Sequence, residues 1–319
     1  MSERVPEEVL WDFLRGAMMT KALAIVADLG IAEALADGPR AVDELARGAE
    51  VDPDALLRLL RALASDGVFA EEEPGVFRLT ESGELLLRPG WKAFAHLFGD
   101  VFYRAVADLD VAARTGSETF PEAFGEEFWP WLGAHAGERA AFDRAMGEGK
   151  ERKAARLSKV EWHAGETVVD VGGGNGTLLF EVLGERPEVH GIVFDLPETD
   201  RDDASFGGNV EFVAGSFFEH VPPGDVYVLS GILHDWDDER ATAILRTIRS
   251  AARPGARLLV AESVIQPGND RSGAKWLDLL MLVLAGGRER TEGEWRVLLE
   301  GAGFEPVAVE DGFVEARCR

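Results

Sequence analysis

His234 comes three residues after the apolar run Val226-Tyr227-Val228-Leu229-Ser230-Gly231, which reads as a strand. Its imidazole therefore stands just past a strand's carboxyl end, and of the six histidines it is the one so placed. An imidazole there titrates near neutrality and can take a proton from a hydroxyl nucleophile. Two acids are candidates to meet it: Glu262, closing the next apolar run Leu258-Leu259-Val260-Ala261, and Glu289, just after Gly286-Gly287. A carboxylate beside imidazole fixes its tautomer and favours the protonated form, which makes a stronger base. Taken singly, Glu262 could equally cap a helix, and Glu289 could be a solvated loop charge.

A second constellation lies upstream. Thr167-Val168-Val169-Asp170-Val171 runs straight into Gly172-Gly173-Gly174-Asn175-Gly176. Glycines at such a strand end let backbone approach a bulky ligand, and the amides opening the next helix point toward it. A dinucleotide fingerprint needs Gly-x-Gly-x-x-Gly. From Gly172 its last position falls on Thr177, and from Gly174 on Leu179, so neither register fits. Gly-x-Gly-x-Gly suits a nucleoside without a pyrophosphate, of which S-adenosylmethionine is the commonest. The next strand, Gly191-Ile192-Val193-Phe194-Asp195, ends in an acid nineteen residues after Gly176. Such an acid can accept hydrogen bonds from ribose hydroxyls; it can also simply cap the turn before Leu196-Pro197. Beside the glycine loop the ribose role is favoured.

Together these groups suggest methyl transfer. A phenol, with a pKa of about 10, is mostly un-ionised at neutral pH, and removing its proton as the C–O bond forms gives a better nucleophile. General-base help is worth about 10²–10⁴-fold, and in-line positioning supplies much of the rest. No metal is needed, and no ligand cluster is evident.

From Thr167 onward the chain alternates strand and helix, with strands near 167–171, 191–195, 210–214, 225–231 and 256–264 and a closing pair near 304–309 and 312–317. Helices fall over Thr177 to Gly184 and Asp237 to Ala252. This predicts a mainly parallel, doubly wound sheet with ligands at the strands' carboxyl ends. Upstream, Val9 to about Ala36 reads as a helix whose apolar face is wide enough to bury against a partner chain. Two short helices, Ala41 to Ala46 and Asp52 to Ser65, then precede a ribbon formed by Gly67-Val68-Phe69-Ala70 and Val76-Phe77-Arg78-Leu79-Thr80. That is a winged-helix outline. Its wing carries Glu71, Glu72 and Glu73, which phosphate would repel, so dimerisation is expected rather than DNA binding. Residues 91 to 165 read as helical and aromatic. The expected domains are 1–90, 91–165 and 166–319.

Composition agrees. The net charge of −25 opposes nucleic acid or anionic membrane as a partner. The single cysteine, Cys318, gives no disulfide framework or thiolate metal site. With no signal-peptide pattern and no long apolar run, a cytoplasmic protein is expected.

With these residues in hand, the chain closely resembles the small-molecule O-methyltransferases, a family that includes plant caffeate and flavonoid enzymes and bacterial antibiotic-tailoring and hydroxyindole enzymes. The matching stretches are Val169 to Gly176, Phe194-Asp195-Leu196-Pro197, Leu233-His234-Asp235-Trp236, Gly286-Gly287-Arg288-Glu289-Arg290-Thr291, and Glu294-Trp295 to Ala302-Gly303-Phe304. The resemblance implies a class I methyltransferase α/β fold behind a mainly helical winged-helix domain that forms a homodimer. It implies His234 as base, flanked by Glu262 and Glu289. Cofactor contacts are expected from Asp170, Gly172, Gly174, Asp195, Leu196, Ser216, Phe217 and Ser230. Acceptor contacts are expected from Phe142, Met146 and Asp235. Two departures stand out: Gly215-Ser216-Phe217-Phe218 has serine where the family commonly has an aspartate near the adenine, and Ser230 replaces a lysine of the plant members. Some bacterial relatives lack the histidine and perform cofactor-assisted hydroxylation, and decarboxylation on the same fold is a related possibility. His234 argues for methylation of a phenolic secondary metabolite.

Overall fold

The computed structural model describes residues 5–197, 199 and 208–319, which form two compact units. One unit holds the chain up to Asp108 together with Trp129–Glu148; the other holds Leu109–Phe128 and Gly149–Arg319. The segment 91–165, expected as a region of its own, is therefore shared out between them. The reason is helix packing. Helix α2 (Pro89–Gly99) lies against both α1 (Pro6–Asp28) and α3 (Ala136–Gly147), which ties it to the first unit. The approach of α1 to α2 depends on Gly99, where a methyl group would overlap Ala24 Cβ. Between α2 and its neighbours, His96 bridges Asp28 at 3.1 Å and Glu138 at 3.2 Å.

Helix α1 stops at Asp28, short of the expected Ala36, because Gly30 adopts a left-handed φ of 70° and starts a separate turn, Ile31–Ala34. Along α1 the apolar residues Leu10, Trp11, Phe13, Leu14 and Met18 are all exposed. The winged-helix outline is present: helices Val42–Ala49 and Pro53–Ser65, then antiparallel strands Phe69–Glu73 and Val76–Leu79. Arg61 pairs with Glu71 of the wing at 3.0 Å and Arg58 with Asp54 at 3.0 Å, so both guanidinium groups of that helix face carboxylates.

The second unit is built on a seven-stranded sheet. Its strands are β1 (Thr167–Val171), β2 (His190–Asp195), β3 (Val210–Ala214), β4 (Val226–Leu229), β5 (Arg257–Val260), β6 (Phe304–Glu310) and β7 (Phe313–Cys318). The order is β6-β7-β5-β4-β1-β2-β3, parallel from β5 through β3, with β7 antiparallel to both neighbours. Central strands such as β4 are buried along their length, as expected of parallel strands covered on both faces by helices. Helices α4 (Lys150–Leu157), α5 (Thr177–Leu183), α6 (Asp238–Ala251), α7 (Gly273–Ala285) and α8 (Glu292–Gly301) complete the unit.

Strand β5 ends earlier than the expected 256–264. The chain leaves the ladder after Val260, and Val264–Ile265 pairs in parallel with Arg290–Thr291 in a small separate sheet. That pairing draws the segment after Gly286-Gly287 alongside the end of β5. Among the described residues no helix is long and apolar enough to cross a membrane.

Candidate active site

Two supports hold the turn that carries His234. From one side comes Glu262, two residues past β5. Its Oε1 accepts the backbone amides of Ile232 at 2.8 Å and Leu233 at 2.7 Å, which a tight turn would otherwise leave unpaired. From the other side comes Arg290, fully buried. It donates to Leu233 O and Trp236 O, each at 3.0 Å, and to Asp238 Oδ1 at 2.9 Å, and lies over the Trp295 ring at 5.5 Å. Arg288 N adds a 2.8 Å bond to His234 O. The buried guanidinium of Arg290 is tolerated here because each of its three nitrogens finds a partner.

Within this frame His234 Nδ1 lies 2.7 Å from Glu289 Oε1. Glu289 is itself fixed by its backbone amide, which donates to Asp278 Oδ1 of α7 at 2.8 Å. With Glu289 ionised, Nδ1 is the donor, and Nε2 is left as the nitrogen able to take a proton. Asp235 Oδ1 sits 3.5 Å from Nε2. Burial alone would lower the His234 pKa, but Asp235, Glu289 and Glu262 outweigh it and push it up to about 9. Burial pushes Asp235 up to about 7, against the pull of the imidazolium.

The acids expected around His234 thus divide. Glu289 meets the ring; Glu262 does not, and instead braces the turn beneath it. Asp235, expected toward the acceptor, borders the free ring nitrogen.

Gly172, Gly174 and Gly176 have φ of 72°, 60° and 80°, conformations that suit only glycine. A methyl group at Gly172 would overlap Ile232 Cδ1 and lie 3.7 Å from the Phe217 ring, so these two side chains wall the loop. Ile232 also begins the His234 turn, which places cradle and imidazole side by side. Asp170 is buried beneath Gly173 with both carboxyl oxygens free of hydrogen bonds. Burial, chiefly, holds its pKa up at about 7. Asp195 Oδ2 accepts Gly174 N at 2.7 Å, while Oδ1 accepts Leu196 N at 2.7 Å and Thr199 Oγ1 at 2.8 Å. The turn-capping role is therefore present, and Oδ2 keeps room for a further donor. Leu196 is exposed at the same edge. Ser216 Oγ accepts Phe218 N at 3.3 Å, and Phe217 meets Trp236 edge-on at 6.2 Å. Ser230 follows β4, before Gly231.

Phe142 and Met146 lie on α3 in the first unit, Phe142 edge-on to Trp129 at 5.7 Å and Met146 exposed. Sequence reasoning passed over Asp278 and assigned no role to Arg290, although Arg290 lies in a quoted motif. It also missed Lys153. Burial lowers the pKa of this half-buried lysine, with Glu262 opposing. The run Lys150-Glu151-Arg152-Lys153, basic within a very acidic chain, was the available signal.

Comparison with known proteins adds independent findings. An O-methyltransferase domain profile matches residues 103–305, and an O-methyltransferase dimerisation domain matches 11–89. The chain is 38% identical to phenazine O-methyltransferase PhzM of Lysobacter antibioticus, over 97% of this chain and 95% of that one. It is 40% identical to 3-amino-4-hydroxybenzoate 4-O-methyltransferase of Streptomyces cremeus, over 93% and 84%. Among solved structures, the O-methyltransferase NcsB1 from neocarzinostatin biosynthesis, in complex with S-adenosylmethionine and 2-hydroxy-5-methyl naphthoic acid, matches with a TM-score of 0.84. That match is at 33% identity and covers 99% of each chain.

Proposed function

The chain belongs to the O-methyltransferase family, and from that premise we propose that it methylates a phenolic hydroxyl of an aromatic natural product with S-adenosylmethionine, working as a homodimer in the cytoplasm. The observation that carries this reading is the His234–Glu289 pair, 2.7 Å apart, opening its free nitrogen beside the glycine cradle. The cradle suits such a cofactor: its glycines leave no side chain in the way, a buried carboxyl lacks a partner below, and Asp195 keeps an acceptor site at the ribose end. When bound, the cofactor supplies an electrophilic methyl group on a sulfonium. The chain's own part is to hold the acceptor oxygen in line and to receive its proton at Nε2 as the O–CH3 bond forms and the C–S bond breaks. Glu289 steadies the resulting imidazolium. Glu262 and Arg290 keep the ring in place as its charge changes.

The direct test incubates the purified protein with S-adenosylmethionine and a panel of hydroxylated benzoates, naphthoates, phenazines and anthraquinones. A product heavier by one CH2 unit supports the reading. A gain of one oxygen would replace it with cofactor-assisted hydroxylation.

A second expectation concerns pH. His234 must be neutral to act, so activity should climb as pH rises through its pKa, which the surrounding acids hold at about 9. Glu289→Gln removes one negative charge that favours the imidazolium. The rising limb of kcat/KM should then move to lower pH, toward the ordinary imidazole value, while the plateau falls by about 10-fold or more. Profiles of both enzymes with one acceptor check this; a limb that stays put would separate Glu289 from the base.

A further inference from the structure

A side chain begun at Gly231 would sit 3.5 Å from His234 Nε2 and 3.6 Å from Lys153 Nζ, so both nitrogens border one space over the end of β4. Lys153 reaches it from α4, and its ammonium group makes no hydrogen bond or ion pair among the described residues. Its charged neighbours are mostly carboxylates: Glu262, Glu289 and Asp235 all act on it, with Lys150 as a second cation. Glu262 and Glu289 each keep one buried oxygen without a hydrogen-bond partner. Lys150 is engaged elsewhere, donating to Asn175 Oδ1 of the glycine loop at 3.1 Å. The strand tip itself offers only Ser230 and Gly231.

This arrangement matters for a ligand whose amino-acid end brings an ammonium, which acids can meet, together with a carboxylate, which they cannot. On the reading above, the cofactor's ribose lies toward Asp195 at the end of β2, and its sulfur must lie near His234 for the methyl group to reach the acceptor. Three carbons separate that sulfur from the cofactor's α-carboxylate. The carboxylate therefore falls close to the ends of β1 and β4, among Asp170, Asp235, Glu262 and Glu289. Carboxylates gathered together repel one another where water is scarce, although Asp170 and Asp235, with pKa values of about 7, are only partly ionised near neutral pH. An ammonium group without a fixed partner is the complementary feature. We propose that Lys153 is the counter-ion for the carboxylate at the amino-acid end of the cofactor, and so a binding residue supplied by α4. The inference rests on the methyltransferase reading and adds a residue that none of the sequence motifs contains.

Calorimetric titration with two probes tests it without any acceptor. S-adenosylhomocysteine carries the carboxylate; 5′-methylthioadenosine keeps the adenosine and thioether but lacks the amino-acid end. Lys153→Met is expected to weaken S-adenosylhomocysteine by about 10- to 100-fold, the range of a charge-assisted contact. Binding of 5′-methylthioadenosine should stay within about twofold, which also reports that the site has kept its fold. Lys153→Arg should recover most of the lost affinity. Equal weakening of both probes would reduce Lys153 to a structural role and overturn the proposal, as would undiminished binding of S-adenosylhomocysteine. A selective loss confined to Lys150→Met would transfer the role to that residue and overturn it too. Wild-type protein that binds neither probe would sink the cofactor reading itself, a result distinct from all of these.

Discussion

Turnover of His234→Gln should fall by about 10²–10⁴-fold, the usual worth of a general base, while affinity for S-adenosylhomocysteine stays within about twofold. The separation follows from the geometry. His234 is joined to the glycine loop through the backbone it shares with Ile232, and that backbone is held by Glu262, Arg288 and Arg290 rather than by the ring. Glutamine keeps a polar side chain near Glu289 but cannot accept a proton at useful pH. Single-turnover rates and calorimetry on one preparation read the two quantities together. A variant turning over within about threefold of wild type would remove His234 as base, since a general base contributes far more than that.

The second large effect is expected at a residue that has no side chain of its own. Gly287→Ala would place a methyl group into His234 O and 2.6 Å from the carbonyl carbon of Asp235. Both are backbone atoms, so no side-chain rotation can relieve the overlap. Either the segment after Gly286 or the His234 turn must shift. A displacement of about 1 Å at a reacting group costs on the order of 10²-fold in rate, and such overpacking costs about 1–3 kcal/mol in stability. Turnover and the melting temperature should therefore fall together. Gly293→Ala is the matched control: it lies in the same region, at the start of α8, with nothing within 4 Å of the added methyl. It should melt at or slightly above the wild-type temperature. Equal behaviour of the two variants would mean that the close approach at Gly287 is not what sets the site.

Much of this was legible in the residues. Strand β1 and its glycines announce themselves because periodicity and a Cβ-free loop are local properties, and His234 could be placed because the apolar run before it fixes where the strand ends. Asp195 was placed correctly at the tip of β2, with its turn-capping role foreseen as one of two readings. What failed to show was the direction of side chains arriving from elsewhere. Glu262 has the same composition whether it faces an imidazole or two amides; only the exit of the chain from β5 after Val260 decides. Lys153 lies 81 residues before His234, and nothing local says that α4 points one lysine over β4. The end of α1 was overrun for a related reason: the apolar spacing continues past Gly30, and only that residue's left-handed backbone breaks the helix.

The buried guanidinium of Arg290 also bears on how the molecule comes into being. Synthesis runs from the amino terminus: the glycine loop with strands β1 and β2 comes first, its walls Phe217 and Ile232 follow, and the partners that clamp the His234 turn come only at 288–290. A chain still emerging from the ribosome therefore holds the glycine loop before the groups that fix the His234 turn have been made. Closure of the His234 turn thus waits on residues made 54 and 56 positions after His234 itself.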